Sequence, residues 1–297
     1  MGKLMGYSVD DTRLIFSMSP PGDPISWQIW SAPLTGTEYD PDQVLQLTVR
    51  DGWNSGTLSP DRRMLRLEWW DADEAGDVRV AQLSEDGASL ADGPSRVLEV
   101  PNPWADYAAP SQRFFKVEAD DGTPLHGHVF LPPGYDPDAE GKAPLPTLLY
   151  VYGGPHSQLV QRKFNAGASP FLKWLATCGY AVIRLDNRGT DNRGIDFAQA
   201  IHRQCGELEV ADQLKALDWA VAEGITDPAK VAVHGWSYGG YMTLRMMLKA
   251  PDRFVCGISG APVTRWDMYE TGYTERYMDT PQENPGGYEG SSVLPIA

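Results

Sequence analysis

Cysteine and basic side chains are both scarce in this chain of 297 residues. The three cysteines, Cys178, Cys205 and Cys256, are odd in number, scattered and without C-x-x-C spacing, so they offer neither a disulfide framework nor paired metal-binding thiols. They are expected to be buried thiols. Lys and Arg number 25 against 40 Asp and Glu, a formal charge of −15. That balance argues against nucleic-acid or anionic-membrane partners, which need basic patches, and serves solubility instead. No apolar run approaches the roughly 20 residues of a membrane-crossing helix, and the start, Met1-Gly2-Lys3-Leu4-Met5-Gly6-Tyr7, does not read as a signal peptide. The compartment stays open. What is plentiful is core-forming material: 42% hydrophobic residues with 22% charged, enough for one large domain or two medium ones.

The first hundred residues read as antiparallel strands. Short alternating runs at 13–18, 27–30 and 44–49 are separated by Pro, Gly and Asp clusters. Ser8-Val9-Asp10 before Leu14-Ile15-Phe16 recurs as Ser59-Pro60-Asp61 before 64–67, an offset of 51 residues, and a further strand follows at 78–83. A period of this size with about four strands per unit suits β-propeller blades. Residues 1–108 are therefore expected to form about two blades of a partial propeller, with earlier blades missing.

After Pro101-Asn102-Pro103 the pattern changes. The runs 113–117 and 125–131 read as an antiparallel pair at a sheet edge, joined across Asp120-Asp121-Gly122. Apolar strands at 146–151, 180–185, 231–233 and 255–259 then alternate with helices, the clearest at 206–223, where Leu208, Leu214, Leu217 and Val221 lie near helical spacing. Strands alternating with helices predict an α/β fold, a largely parallel sheet covered on both faces, over residues 109–297.

Gly235-Trp236-Ser237-Tyr238-Gly239 lies between the strand 230–234 and a helix over 240–248. That is the context of an α/β-hydrolase nucleophile elbow, in which glycines leave room for a strained turn that exposes the serine. Ser237 is the candidate nucleophile. It needs a base and an orienting carboxylate, in the chain order Ser, Asp or Glu, His. The five histidines, His126, His128, His156, His202 and His234, all precede it. The expectation is a hydrolase truncated at its C-terminus, its Asp and His beyond Ala297. One oxyanion donor would be the Tyr238 backbone N–H; the other would come from Tyr152-Gly153-Gly154-Pro155-His156, through the Tyr152 hydroxyl in place of a main-chain donor. Asp186 and Arg188 read as loop braces, and Glu207, Asp212 and Gln213 as solvated or bracing groups on a helix.

Tyr152-Gly153-Gly154-Pro155, Asp186-Asn187-Arg188-Gly189, Gly235 through Tyr241 and above all 266–278 together resemble the prolyl oligopeptidase family, specifically its dipeptidyl peptidase IV branch. The resemblance covers roughly residues 50–297. It implies a β-propeller joined to an α/β-hydrolase domain and a serine peptidase that releases dipeptides from free N-termini after Pro or Ala. It also implies an acyl-enzyme at Ser237, no metal or organic cofactor, peptide substrates with a free N-terminus, and a homodimer of the intact protein. Tyr152 would be the oxyanion hydroxyl, and Tyr238, Val263, Trp266, Tyr269 and Tyr273 would line an apolar pocket for proline, the two last tyrosines one helical turn apart. The branch's paired N-terminus-binding glutamates are not matched; Glu74 and Glu85 lack the motif. The chain alone is expected to be inactive and aggregation-prone. The alternatives are an esterase, endopeptidase or acylaminoacyl peptidase of the same fold, and a non-catalytic propeller–hydrolase binding protein.

Overall fold

The computed structural model describes residues 2–34, 40–102, 105–164 and 170–297, with the side chains of 92–97 left aside. Pro103 of the proline-marked crossing lies outside these. The chain divides into two units, Met1–Asp106 with the stretch beginning at Gln161, and Tyr107–Val160 with Gly167–Ala297.

The first unit is two four-stranded antiparallel meanders. β1 (Lys3–Tyr7), β2 (Arg13–Met18), β3 (Gln28–Pro33) and β4 (Leu45–Gln46) form one sheet, and β5 (Trp53–Leu58), β6 (Met64–Trp70), β7 (Asp77–Leu83) and β8 (Leu90–Glu99) the other. These are the blade-like repeats read from the sequence. In β6, Leu65, Leu67 and Trp69 turn inward while Met64 and Arg66 stay exposed, the period of two of a half-buried strand. Ile15 and Ile29 of one sheet share a core with Leu65, Leu67, Ala81 and Leu83 of the other. The strand expected over 44–49 is only Leu45–Gln46, because the Ile29 N–H is taken by the Thr48 hydroxyl (2.9 Å) and not by a ladder carbonyl.

The 51-residue repeat is a hairpin turn with its own chemistry. Ser8 Oγ donates to Asp10 Oδ1 (2.7 Å) and accepts from the Arg13 N–H (3.0 Å). Ser59 does the same with Asp61 (2.5 Å) and the Met64 N–H (2.9 Å). A third copy, Ser84 with Asp86 (2.7 Å) and the Ser89 N–H (3.0 Å), closes the hairpin between β7 and β8, off the 51-residue offset. Each aspartate also accepts an N–H two residues on, from Thr12, Arg63 and Ala88. The serine hydroxyls lead in holding Asp10, Asp61 and Asp86 below the usual carboxylate range. The fourth turn residue is left-handed in all three: Asp11, Arg62 and Gly87, with φ of 60°, 62° and 69°.

The second unit is a three-layer α/β/α structure. It comprises β9 (Ser111–Glu118), β10 (Pro124–Leu131), β11 (Leu145–Tyr150), α1 (Pro170–Thr177), β12 (Ala181–Asp186), α2 (Ile195–Gln199), α3 (Leu208–Ala222), β13 (Thr226–Trp236), α4 (Tyr238–Lys249), β14 (Cys256–Gly260), α5 (Thr271–Met278) and α6 (Pro285–Ser291). The sheet order is β14-β13-β11-β12-β10-β9. β9, β10 and β12 pair antiparallel; β12, β11, β13 and β14 run parallel. Alternate strand residues feed two cores, as a sheet covered on both faces requires. Leu149, Ile183 and Val233 meet Leu217, Met242 and Met246 of α3 and α4, while Phe130, Leu148 and Val182 meet Leu172 and Ala176 of α1.

One reading needs correction. Of the three cysteines only Cys205 is buried; Cys178 follows α1 and Cys256 lies on β14, and both are exposed. β14 is an edge strand of the sheet, so its apolar residues, Ile258 among them, remain open to solvent. None of the described helices is long and apolar enough to cross a membrane.

Candidate active site

Ser237 sits where β13 turns sharply into α4. Its φ of 58° and ψ of −116° are a strained backbone state for a residue with a side chain. The sequence permits it because side chains are missing where backbones converge. A Cβ on Gly235 or on Gly239 would lie 2.2 Å from the Val151 carbonyl oxygen, and one on Gly240 would lie 2.3 Å from that of Gly260. The Ser237 N–H donates to the Gly260 carbonyl (2.9 Å), and the Ser237 carbonyl accepts from the Tyr241 N–H (3.0 Å). The Tyr238 N–H therefore precedes the first hydrogen bond of α4, at the positive end of the helix dipole. A free N–H at such a position can donate to an oxyanion.

In an exposed helix Gly→Ala gains about 0.5–1 kcal/mol. Gly239→Ala is expected to do the reverse, destabilising the chain by about 1–3 kcal/mol through overpacking against Val151. Chemical denaturation of the two proteins side by side checks the sign.

Ser237, half-buried, opens onto a cleft of about 300 Å³ lined also by Trp236, Ala261, Val263, Arg265, Met268 and Tyr269. Among the described residues nothing hydrogen-bonds its hydroxyl. The histidines are engaged elsewhere. His234 Nδ1 meets the Ile258 carbonyl (2.7 Å), His202 faces Asp279 (3.4 Å), and His156 lies against the Tyr277 ring. His126 and His128 are on β10; His128 accepts from Arg184 at Nδ1 (2.6 Å) and donates from Nε2 to Gln112 (2.8 Å). Burial first, then the charges of Arg184 and Lys173, push its pKa well down, so it is a neutral core imidazole.

Tyr152 lies just past β11, after Val151, and is half-buried. Burial, reinforced by Tyr269 and Tyr277, raises its pKa, which keeps the phenol protonated and able to donate. A Cβ on Gly154 would lie 2.8 Å from the rings of both Tyr152 and Tyr238, so glycine lets the two tyrosines approach. Their centroids are 6.1 Å apart.

From there the rings continue. Tyr238 packs on Trp266 (5.4 Å), Trp266 stacks with Tyr273 (6.2 Å, 11°), and Tyr269 stands almost perpendicular to both. The residues read from the sequence thus lie in one aromatic set, with Val263 and Tyr269 on the cleft beside Ser237. Two details differ. Trp266 and Tyr238 are each only 2% exposed, deep in the wall and not on its open face. Tyr269 is in extended backbone before α5, so it meets Tyr273 across a bend and not along a helical turn.

Beneath the site lies a polar layer that the sequence reading left as solvated or bracing; it braces. Asp186 accepts from the Leu159 and Val160 N–H groups (2.7 and 3.1 Å) and from Arg193 (3.0 Å). Arg188 forms a two-pronged pair with Asp212 (3.0 and 2.7 Å) and reaches Asp121 (2.7 Å). Gln213 donates to Asn187 (2.8 Å), and Asn187 donates to the Gly153 carbonyl (3.0 Å), which ties α3 to the loop carrying Tyr152. Glu207 pairs with Arg245 and Lys249. Glu209, outside the sequence expectations, is fully buried and accepts the Tyr238 hydroxyl (2.6 Å). Its sequence signal was a polar residue on the inward stripe of α3, one turn before Asp212 and Gln213.

Comparison with known proteins agrees in one direction. The prolyl oligopeptidase family profile matches residues 168–296. Mouse dipeptidyl peptidase 8 is 40% identical over 198 residues, which is 66% of this chain and 22% of that protein. The probable dipeptidyl-aminopeptidase B of Aspergillus terreus is 32% identical over 294 residues, 96% of this chain and 30% of that protein. The solved structure of Porphyromonas gingivalis dipeptidyl peptidase 4 superposes with a TM-score of 0.84 at 28% identity, covering 99% of this chain and 39% of that one. The chain thus spans between a fifth and two fifths of the length of these relatives.

Proposed function

We propose a function from one premise: the chain belongs to the prolyl oligopeptidase family. On that premise the full-length protein is a serine peptidase that releases N-terminal dipeptides after Pro or Ala. The observation that carries the reading is Ser237, strained at the head of α4 and open to the cleft that Val263 and Tyr269 line. Ser237 Oγ attacks the carbonyl of the second residue and gives up its proton to a base; the dipeptide is held as an ester while the amine departs, and water then releases it. The Tyr238 N–H and the Tyr152 hydroxyl receive the developing oxyanion. Neither the base nor its orienting carboxylate is assigned to any described residue, so both are proposed to come from elsewhere in the full-length protein. The polypeptide 1–297 on its own is proposed to be inactive.

The specificity proposal rests on ring geometry. Tyr269 on the cleft, met edge-on by Tyr273 and backed by the buried Trp266, gives a rigid apolar wall that suits a flat, preorganised pyrrolidine. Proline also lacks the N–H by which most proteases hold substrate as an added strand. Tyr269→Ala and Tyr273→Ala are each expected to reduce the preference for Pro over Ala substrates by about 1–3 kcal/mol. Steady-state kcat/KM on paired chromogenic dipeptide substrates measures it, and an unchanged Pro/Ala ratio in both variants would remove these rings from the pocket. Blocking the substrate's amino group separates the exopeptidase from an endopeptidase or esterase, because only the exopeptidase stops.

A further inference from the structure

Glu209 lies in the first turn of α3, fully buried, and has no part in the scheme above. Oε1 accepts from the Tyr238 hydroxyl (2.6 Å) and Oε2 from the Gly206 N–H (2.9 Å). Tyr238 is the residue that follows the nucleophile, and its ring touches Tyr152, Tyr241 and Trp266. Resting on the reading of Ser237 as nucleophile, we propose that Glu209 is a positioning residue: it locks the Tyr238 ring from behind and so sets the aromatic wall and both oxyanion donors, without touching substrate.

The argument is one of direction. Apolar packing holds a ring in place loosely; a hydrogen bond to a buried carboxylate fixes where the hydroxyl end points. The same inward stripe of α3 continues as Ala216, Leu217 and Ala220, and an apolar residue at 209 would avoid the penalty of burying a charge. Among the described residues no cation pairs with it. Arg245 is spent on the Gly290 and Ser292 carbonyls and on Glu207. The other groups facing this cluster are Cys205 from the preceding loop, Tyr238 and Tyr241 from α4 and Asp212 from α3. Burial pushes the Glu209 carboxyl up to about 7, against the pull of the Tyr238 and Gly206 hydrogen bonds. Tyr238 itself is raised well above the usual phenol range, by burial first, so it remains the donor when the carboxylate is charged.

The test uses the full-length protein and three variants, Glu209→Gln, Glu209→Ala and Tyr238→Phe. The Gln and Phe variants keep shape and carry the test if the Ala variant does not fold. Each is expected to lower kcat/KM on a proline dipeptide substrate by about tenfold to a hundredfold, the scale of a small misplacement. Glu209→Gln leaves one acceptor for two donors and so weakens the bond that Tyr238→Phe removes, and the double variant should be no worse than Tyr238→Phe alone. Glu209→Gln should also remove an ionisation near neutral pH from the kcat/KM profile. Stability gives a readout independent of turnover. With a folded pKa above the usual carboxylate value, the native state is favoured while the carboxyl is protonated and loses that advantage as pH rises towards 7 and beyond. The thermal midpoint of Glu209→Gln relative to the parent should therefore rise between pH 5 and pH 8. A rising difference with unchanged kinetics would make Glu209 merely structural and overturn the proposal. Activity that survives Ser237→Ala would instead sink the nucleophile assignment and leave the stability result standing.

Discussion

Ser237→Ala is expected to lower kcat of the full-length protein by about a millionfold on a proline-linked dipeptide with a chromogenic amine. The size follows from what the hydroxyl does. On the proposed mechanism no acyl-enzyme forms without it, and the proposed donors at Tyr238 and Tyr152 are left to stabilise only a direct attack by water. Substrate binding should survive, since the cleft is lined by groups the substitution leaves alone. Inhibitor titration of the variant would show an unaltered dissociation constant. Among the described residues nothing bonds the Ser237 hydroxyl, so its removal should cost little stability, and a melting curve separates lost chemistry from lost fold. Turnover within tenfold of the parent would show that another residue is the nucleophile.

Tyr152→Phe removes one oxygen from a residue whose ring contacts remain. If the hydroxyl donates to the oxyanion, acylation should slow by about a hundredfold to a thousandfold, the range for losing one such donor. KM should barely move, because the bond exists only when negative charge develops. The raised pKa of Tyr152 adds a condition. The phenol stays protonated over the working range, so the defect should be flat with pH from 6 to 9, a window chosen on the usual phenol value of about 10. Single-turnover measurement of the released amine tests both statements, and an unaltered acylation rate would take Tyr152 out of the mechanism.

The elbow was legible in the sequence because its constraint is on the backbone. Gly235, Gly239 and Gly240 are needed for close approach, and a glycine pattern survives in one dimension. β6 was legible for a similar reason, as alternation shows which face is buried. Helix α3 misled in part. Helical spacing points to Leu208, Leu214, Leu217 and Val221, but the buried residues are Glu209, Val210, Asp212, Gln213, Ala216, Leu217 and Ala220. Apart from Val210 the first half of this set is polar, and a hydrophobic-period reading assigns such residues to solvent; only the partners supplied by Tyr238, Arg188 and Asn187 make their burial tolerable. Those partners are far off in sequence. Likewise the Tyr269–Tyr273 contact came out through a bend that no helical spacing encodes.

The serine–aspartate turns of the first unit have a consequence for how that unit assembles. The side-chain bonds that close each of them join residues no more than five apart. Closing so short a loop sacrifices little chain entropy, and hairpins of this kind zip on the microsecond scale, well ahead of contacts between distant strands. The three hairpins are thus able to find their register as separate nuclei, each with its handedness already set by the left-handed fourth residue. The slower event left to the unit is the docking of these preformed hairpins and of β3 through Ile15, Ile29, Leu65 and Leu67, a search over a few pieces and no longer over a hundred free residues.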